Sequence, residues 1–225
     1  MQGRDDAAGS IAGFAGDDRY IVDHLVGEVL PRQPPDVRSF LLQTSVLSRL
    51  TGSLCDAVTG QDGGTGMLEA LDRANMFVVP LADRRRWYRY HHLFADVLRA
   101  RLLDEQPDEV GALHRCASDW YEQNGGRSEA IRHATIGGDV ESAAGLIELA
   151  IPEMAKARQE VSLRGGLEAL PIELFAVRPV VSMGFVGALM ASGEFEGVEA
   201  RLRDAERWAE PAAAGGAPPE PGRPR

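Results

Sequence analysis

Lysine is almost missing from this chain: Lys156 is the single lysine among 24 basic residues, the rest being arginine. A phosphate-cradling loop of the GxxxxGK[ST] type needs a lysine directly after a glycine. Lys156 stands between Ala155 and Ala157, so these 225 residues hold no such loop. Cysteine is equally scarce. Cys55 and Cys116 are far apart with no CxxC pair, which excludes a four-cysteine zinc site by count. Two reduced, partly buried thiols are expected instead, with a structural disulfide between them as the lesser alternative. Aromatics amount to 6%, so a core built on Leu, Val and Ala is expected. Met1 to Gly16 lacks the positive segment and apolar stretch of a secretory signal. No apolar run reaches the length of a membrane span, and the expected location is the cytoplasm. Positive charge is also short. A net charge of −10 repels polyphosphate, which sets a dominant nucleic-acid-binding role at a disadvantage. Arginine in place of all but one lysine, with much Ala, Gly and Val, suggests a GC-rich bacterial genome as the source.

What is present is ordinary globular material, 44% hydrophobic and 26% charged. Residues 1–16, rich in Gly, Ala and Asp, are expected to be a flexible N-terminus. A helix is expected from Asp17-Asp18, with Ile21, Leu25, Val26, Val29 and Leu30 at helical spacing and Pro31 as its stop. Pro34-Pro35-Asp36 opens a second helix bearing Phe40, Leu41, Leu42, Val46 and Leu47, broken by Thr51-Gly52-Ser53. A short helix over Leu54 to Val58, a flexible Gly60–Gly66 turn, and a helix marked by Met67, Leu68, Leu71 and Met76 follow. The period then changes. Phe77 to Leu81 and Trp87 to Tyr90 are β-prone runs around a polar turn, which is a hairpin signal. Phe94, Val97, Leu98, Leu102 and Leu103 form the next amphipathic helix. Helices, a hairpin and a closing helix are the order of a winged-helix domain, here residues 17–105.

Past Pro107 only helical signals remain: Leu113 to Gln123, Arg127 to Ile136, Val140 to Ala155, Val161 to Leu170, Val180 to Ala191 and Phe195 to Trp208. Asn124-Gly125-Gly126, Gly137-Gly138-Asp139, the region of Pro171 and Pro179, and Ser192-Gly193 separate them. Paired helices with such punctuation suggest a tetratricopeptide-like helical array over residues 106–208. Residues 209–225, made of Pro, Gly and Ala, are expected to be a disordered tail. The fold class is therefore mainly α, a winged-helix domain with a small β-hairpin followed by a helical array.

Several ordered motifs resemble one family. Asp17-Asp18-Arg19-Tyr20-Ile21-Val22-Asp23-His24-Leu25, Phe40 to Leu47, Leu54 to Gly60, Leu71 to Phe77 and Trp87 to Phe94 resemble the winged-helix region of MalT-type, ATP-binding regulators of the LuxR family. His114-Arg115, Trp120-Tyr121 and Glu129 to Ala134 resemble the first helical repeat that follows it. The resemblance is specific over residues 17–150 and looser to 208. It implies a plan in which a P-loop domain binds ATP, a winged-helix segment clamps it, helical repeats sense an inducer and a C-terminal helix-turn-helix binds DNA. The P-loop and the C-terminal helix-turn-helix are not found in this sequence. No cofactor is expected in this chain, and ATP or ADP would reach it only through a separate ATPase domain.

The resemblance also implies that His91, of the His91-His92 pair, faces nucleotide phosphates of the ATPase domain, where imidazole N–H groups donate to phosphate oxygens. Alternatively His91 caps the hairpin and packs at its edge, the preferred reading for the chain by itself. Arg84, Arg85, Arg86 and Arg89 form the basic cluster. They suit either a docking interface or a nucleic-acid contact through the wing, but the helix that would enter the major groove carries Glu69 and Asp72 against Arg73. His114, His133 and Cys116 match no closed zinc pattern. Ser118, Ser128 and Asp119 lack the nucleophile elbow of a hydrolase, so no catalytic residue is assigned. Trp120, Tyr121, Ala130 and Ala134 are expected as packing positions. The function expected is that of a non-catalytic regulatory segment of a MalT-like regulator. Its partner would be a P-loop ATPase domain or related regulator chain, with a small effector or peptide on the repeats, DNA met only indirectly, and no membrane. A stand-alone helical-repeat adaptor and a DNA-binding winged-helix protein are the alternatives.

Overall fold

The computed structural model describes Glu28 and residues 30–81, 87–157 and 165–213. Expectations for residues 1–27, including the first helix, and for residues 214–225 lie outside this range. The chain divides into two compact units, residues 1–120 and 121–225.

In the first unit a 3-10 turn, Leu30–Arg32, leads to α1, Pro35–Thr44. Pro35 takes the first helical position, where its missing N–H costs nothing. Thr51 then caps α2 (Gly52–Thr59), its hydroxyl accepting from Leu54 N–H at 3.3 Å. The expected break at Thr51-Gly52-Ser53 is therefore a helix start. Gly60 ends α2 in the left-handed conformation at φ +66°. The expected flexible turn over Gly60–Gly66 is shorter in the structure, because α3 begins at Gly64 and runs to Arg73.

The reason lies in how closely α2 and α3 pack. A Cβ on Gly64 would stand 2.7 Å from the Gly52 carbonyl oxygen, and one on Gly52 would stand 2.7 Å from the Thr65 nitrogen. Two glycines let the backbones meet, and the Gly64 N–H then donates to the Asp56 carboxylate at 2.7 Å. A carboxylate from α2 thus answers an orphan donor in the first turn of α3.

Beyond α3, β1 (Val78–Pro80) pairs antiparallel with β2 (Tyr88–Tyr90), in the register Val78 to Tyr90, Val79 to Arg89 and Pro80 to Tyr88. Leu50, between α1 and α2, bonds to Tyr88 on the other side of β2, with N···O distances of 2.8 and 2.9 Å. Then come α4, His92–Glu105, and α5, Pro107–Gln123. α5 is longer than the expected Leu113–Gln123 because Pro107 is tolerated at a helix start. Leu41, Leu42, Leu50, Leu54, Leu68, Phe94 and Leu98 are almost wholly buried, which places the core between α1, α2, α3, β2 and α4. α1 lies along α4, held by Arg38 to Glu105 (2.6 Å) and by Arg99 Nε donating to the Ser45 carbonyl (3.0 Å).

Among its described residues the second unit has helices and no strand: α6 (Arg127–Ile136), α7 (Val140–Ala157), α8 (Ile172–Val177), α9 (Pro179–Ala191) and α10 (Val198–Ala213). Residues 165–168 are also helical. α8 occupies the Pro171–Pro179 region expected to be a break, and α10 starts at Val198 instead of Phe195 and continues to Ala213. The expected breaks at Gly125, Gly138 and Gly193 share one geometry. Each glycine has φ between +72° and +77°, and the next residue's N–H bonds back to Tyr121, Ala134 or Leu189. That is the Schellman cap, which turns the chain sharply for the next helix. α6 packs on α7, α7 on α9, and α8 and α9 on α10. Ala130 and Ala134, fully buried, sit at packing positions as expected.

Candidate docking surface around the wing

His91 is the residue that turns the hairpin into α4. Its N–H donates to the Phe77 carbonyl at 2.7 Å, and its own carbonyl accepts from Ala95 N–H at 2.9 Å. It is thus the N-cap of α4 by backbone alone, because its side chain makes no capping bond. The imidazole is exposed, with its centroid 4.4 Å from that of His92, which is exposed too. The ring pair stands on the exposed surface at the junction of β2 and α4.

Arg89 projects from β2 and is exposed. Arg84, Arg85 and Arg86 lie in the connection between β1 and β2, outside the described residues.

The neighbouring helix α3 has Leu68 and Leu71 buried, while Thr65, Glu69, Ala70 and Arg73 are exposed and Asp72 is half-buried. Arg73 turns its Nε to the Glu69 carbonyl at 3.1 Å. The Tyr88 phenol is pushed above its ordinary range by burial and then by the negative fields of Asp72 and Glu69. These carboxylates of α3 therefore act on the same surface as the wing. An α3 presented to a phosphate backbone would bring two carboxylates with it.

Behind this surface the packing is tight. Tyr90 is buried, its hydroxyl 2.7 Å from Thr44 Oγ1, and burial raises its phenol far above the usual value despite that bond. Tyr90 meets Phe94 edge-on at 5.8 Å, and Trp87 meets Trp120 edge-on at 6.4 Å. Trp120 is thus the packing residue the sequence suggested.

The two cysteines differ from the expected pair of partly buried thiols. Cys55 is fully buried and its thiol is pushed up to about 12 by burial and by Asp56, whereas Cys116 is exposed. A thiol held neutral is a poor nucleophile. His114 is buried in α5, and His133 is buried in α6, stacked on the Tyr121 ring at 5.6 Å. Among the described residues no group of three or more His, Cys, Asp or Glu could hold a metal ion. No described helix is long and apolar enough to cross a membrane.

A helix, a bridging residue at Leu50, two closely crossed helices, a two-stranded wing and a closing helix define a winged-helix domain. Residues 26–110 match the MalT winged helix domain, and this segment belongs to that family. Over a longer stretch the chain is similar to the serine/threonine-protein kinase PknK of Mycobacterium tuberculosis, 31% identical over 188 residues, covering 84% of this chain and 17% of the kinase. It is also similar to the HTH-type transcriptional regulator MalT of Yersinia enterocolitica, 39% identical over 121 residues, which are 54% of this chain and 13% of that regulator. The MalT of Cronobacter sakazakii is 29% identical over 188 residues, 84% of this chain and 21% of the regulator. The chain thus spans about a fifth or less of the length of these relatives.

The sequence missed two parts of the site. Leu50 extends the sheet by one residue, too short for any periodicity to reveal. Phe77 adopts φ +55°, in the left-handed region, without a glycine to signal it.

Proposed function

We propose that this chain is a non-catalytic regulatory segment of a MalT-like regulator, in which the winged helix docks on a P-loop ATPase domain instead of on DNA. Residues 17–105 are the docking module and residues 106–208 the beginning of a tetratricopeptide-like sensor array, acting in the cytoplasm. The observation that carries this reading is the exposed face of α3 beside the wing. It offers the exposed Glu69 and the half-buried Asp72, with Arg73 turned to its own helix. A recognition helix for DNA needs the opposite charge.

The relatives support the same assignment. One is named a kinase and others transcriptional regulators. A segment common to proteins with different outputs suits an input or coupling step. In this reading His91 and His92 stand where phosphate oxygens of a nucleotide held by the ATPase domain come within reach, and Arg89 with Arg84, Arg85 and Arg86 borders the interface. Nucleotide state then sets whether the winged helix stays docked, and an effector or peptide on the helical array biases that equilibrium by binding one state more tightly.

Two titrations of the purified chain at physiological salt test the proposal, one with the ATPase domain of a MalT-type regulator and one with a short DNA duplex. Saturable binding of the domain with no binding of the duplex is expected. Salt-dependent binding of the duplex alone would reject docking in favour of a DNA-binding winged helix.

A further inference from the structure

Asn75 and Phe77 are the non-glycine residues with positive φ among the described residues, at +50° and +55°. Asn75 is accounted for by its place. It is the left-handed residue of a Schellman cap on α3, with Asn75 N–H bonded to Asp72 O and Met76 N–H to Leu71 O. Phe77 has no such licence. The left-handed region disfavours an L-residue by a factor of about 5 to 30, and a bulky ring belongs there least.

Three contacts surround the strained residue. Its ring lies 5.1 Å from that of Phe94, a fully buried residue in the first turn of α4. Its carbonyl accepts the His91 N–H at 2.7 Å. Its neighbour Val78 begins β1. Rotation of Phe77 to the extended region would swing that carbonyl away from His91 and carry the ring off Phe94. Strain at Phe77 and the position of His91 are therefore one variable.

We propose that Phe77 is a strained latch at the corner of α3, β1 and α4, which opens locally and frees the His91-His92 end of α4 from the hairpin. The latched state is held by the Phe94 contact and the His91 bond, and the strain favours release. A partner that engages the imidazoles of one state more than the other would shift the balance. The functional meaning of the latch rests on the docking reading, but the latch itself is a property of the chain alone and is tested without any partner.

The test is native-state hydrogen exchange of the His91 amide in the full chain, comparing Phe77→Ala with Phe77→Gly. Both lose the ring, and only the alanine keeps the left-handed penalty. The His91 amide is expected to exchange about fivefold more slowly in Phe77→Gly than in Phe77→Ala, and in both variants to be far less protected than the Cys55 amide in the buried α2, which only global unfolding releases. Equal rates at His91, faster exchange in Phe77→Gly, or a His91 amide as strongly protected as the Cys55 amide would overturn the proposal. The unaltered chain gives a check that needs no variant. Phe77 should show the strong intraresidue amide-to-Hα NOE of a positive φ, and a weak one would overturn the latch as well.

Discussion

Replacing Gly64 by alanine tests the crossing of α2 and α3, on which the whole winged helix is built. The added Cβ would stand 2.7 Å from the Gly52 carbonyl oxygen, 2.7 Å from Asp56 Oδ1 and 3.1 Å from Cys55 Cβ. The first of these is backbone within α2 and cannot rotate away, so the helices must separate. Overpacking of this kind costs about 1–3 kcal/mol. Separation also stretches the 2.7 Å bond from Gly64 N–H to Asp56, whose loss adds about 1 kcal/mol or more. Against this, alanine gains up to about 1 kcal/mol in helix propensity. The net expected for Gly64→Ala is a loss of about 1–4 kcal/mol. Gly66 supplies the control. It lies in the same helix, and a Cβ there meets nothing within 4 Å. Gly66→Ala should be neutral or stabilising by up to about 1 kcal/mol. Urea unfolding followed by tryptophan fluorescence in a Trp208→Phe background reads this unit, because the two remaining tryptophans, Trp87 and Trp120, both lie in it. Equal stability of the two variants would refute the close crossing.

Thr51→Ala should cost about 1 kcal/mol in the same assay by leaving the Leu54 N–H without its cap. At neutral pH a thiol reagent should modify Cys116 rapidly and Cys55 only on unfolding; prompt reaction of both thiols would contradict the burial of Cys55. The raised Cys55 thiol also fixes a sign. Its folded value of about 12 lies above the unfolded value, so its contribution is complete below about pH 9 and is lost as pH rises towards 12. The decline in stability over that window should be shallower in Cys55→Ala. In the second unit Arg178 pairs with Glu141 and, at 3.0 Å, with Glu148, tying the corner between α8 and α9 to α7. The Glu141 bond and the two negative fields raise its guanidinium further. Glu141 is largely exposed, so Arg178→Ala should cost only about 1 kcal/mol, and less in high salt. A cost unaffected by salt would point to lost packing instead.

Much of this architecture was legible in the residues. α6 falls on Arg127–Ile136 as its periodicity and flanking glycines require, and the hairpin follows from the alternation of Val78-Val79 and Tyr88-Arg89-Tyr90 around a polar turn. What escaped was structure too short, or too dependent on partners, to leave a pattern. α8 has six residues between two prolines, less than two helical turns. The first turn of α5 was hidden because Pro107 looks like a stop when it is a start. Gly64 to Gly66 looked like a flexible turn because glycine composition does not distinguish freedom from close approach, and only the opposing Gly52 does. For the site, His91 was visible as a residue, but its backbone tie to Phe77 was not. That tie is made across the hairpin by main-chain atoms, which sequence does not mark.

The measurement that bears most directly on the docking role is the dissociation rate of ADP from the ATPase domain of a MalT-type regulator, with and without this chain in excess. The account predicts that the chain slows ADP release and that His91→Ala restores the rate of the domain alone, with the variant still folded by circular dichroism. An ADP release rate that the chain leaves unchanged would contradict it.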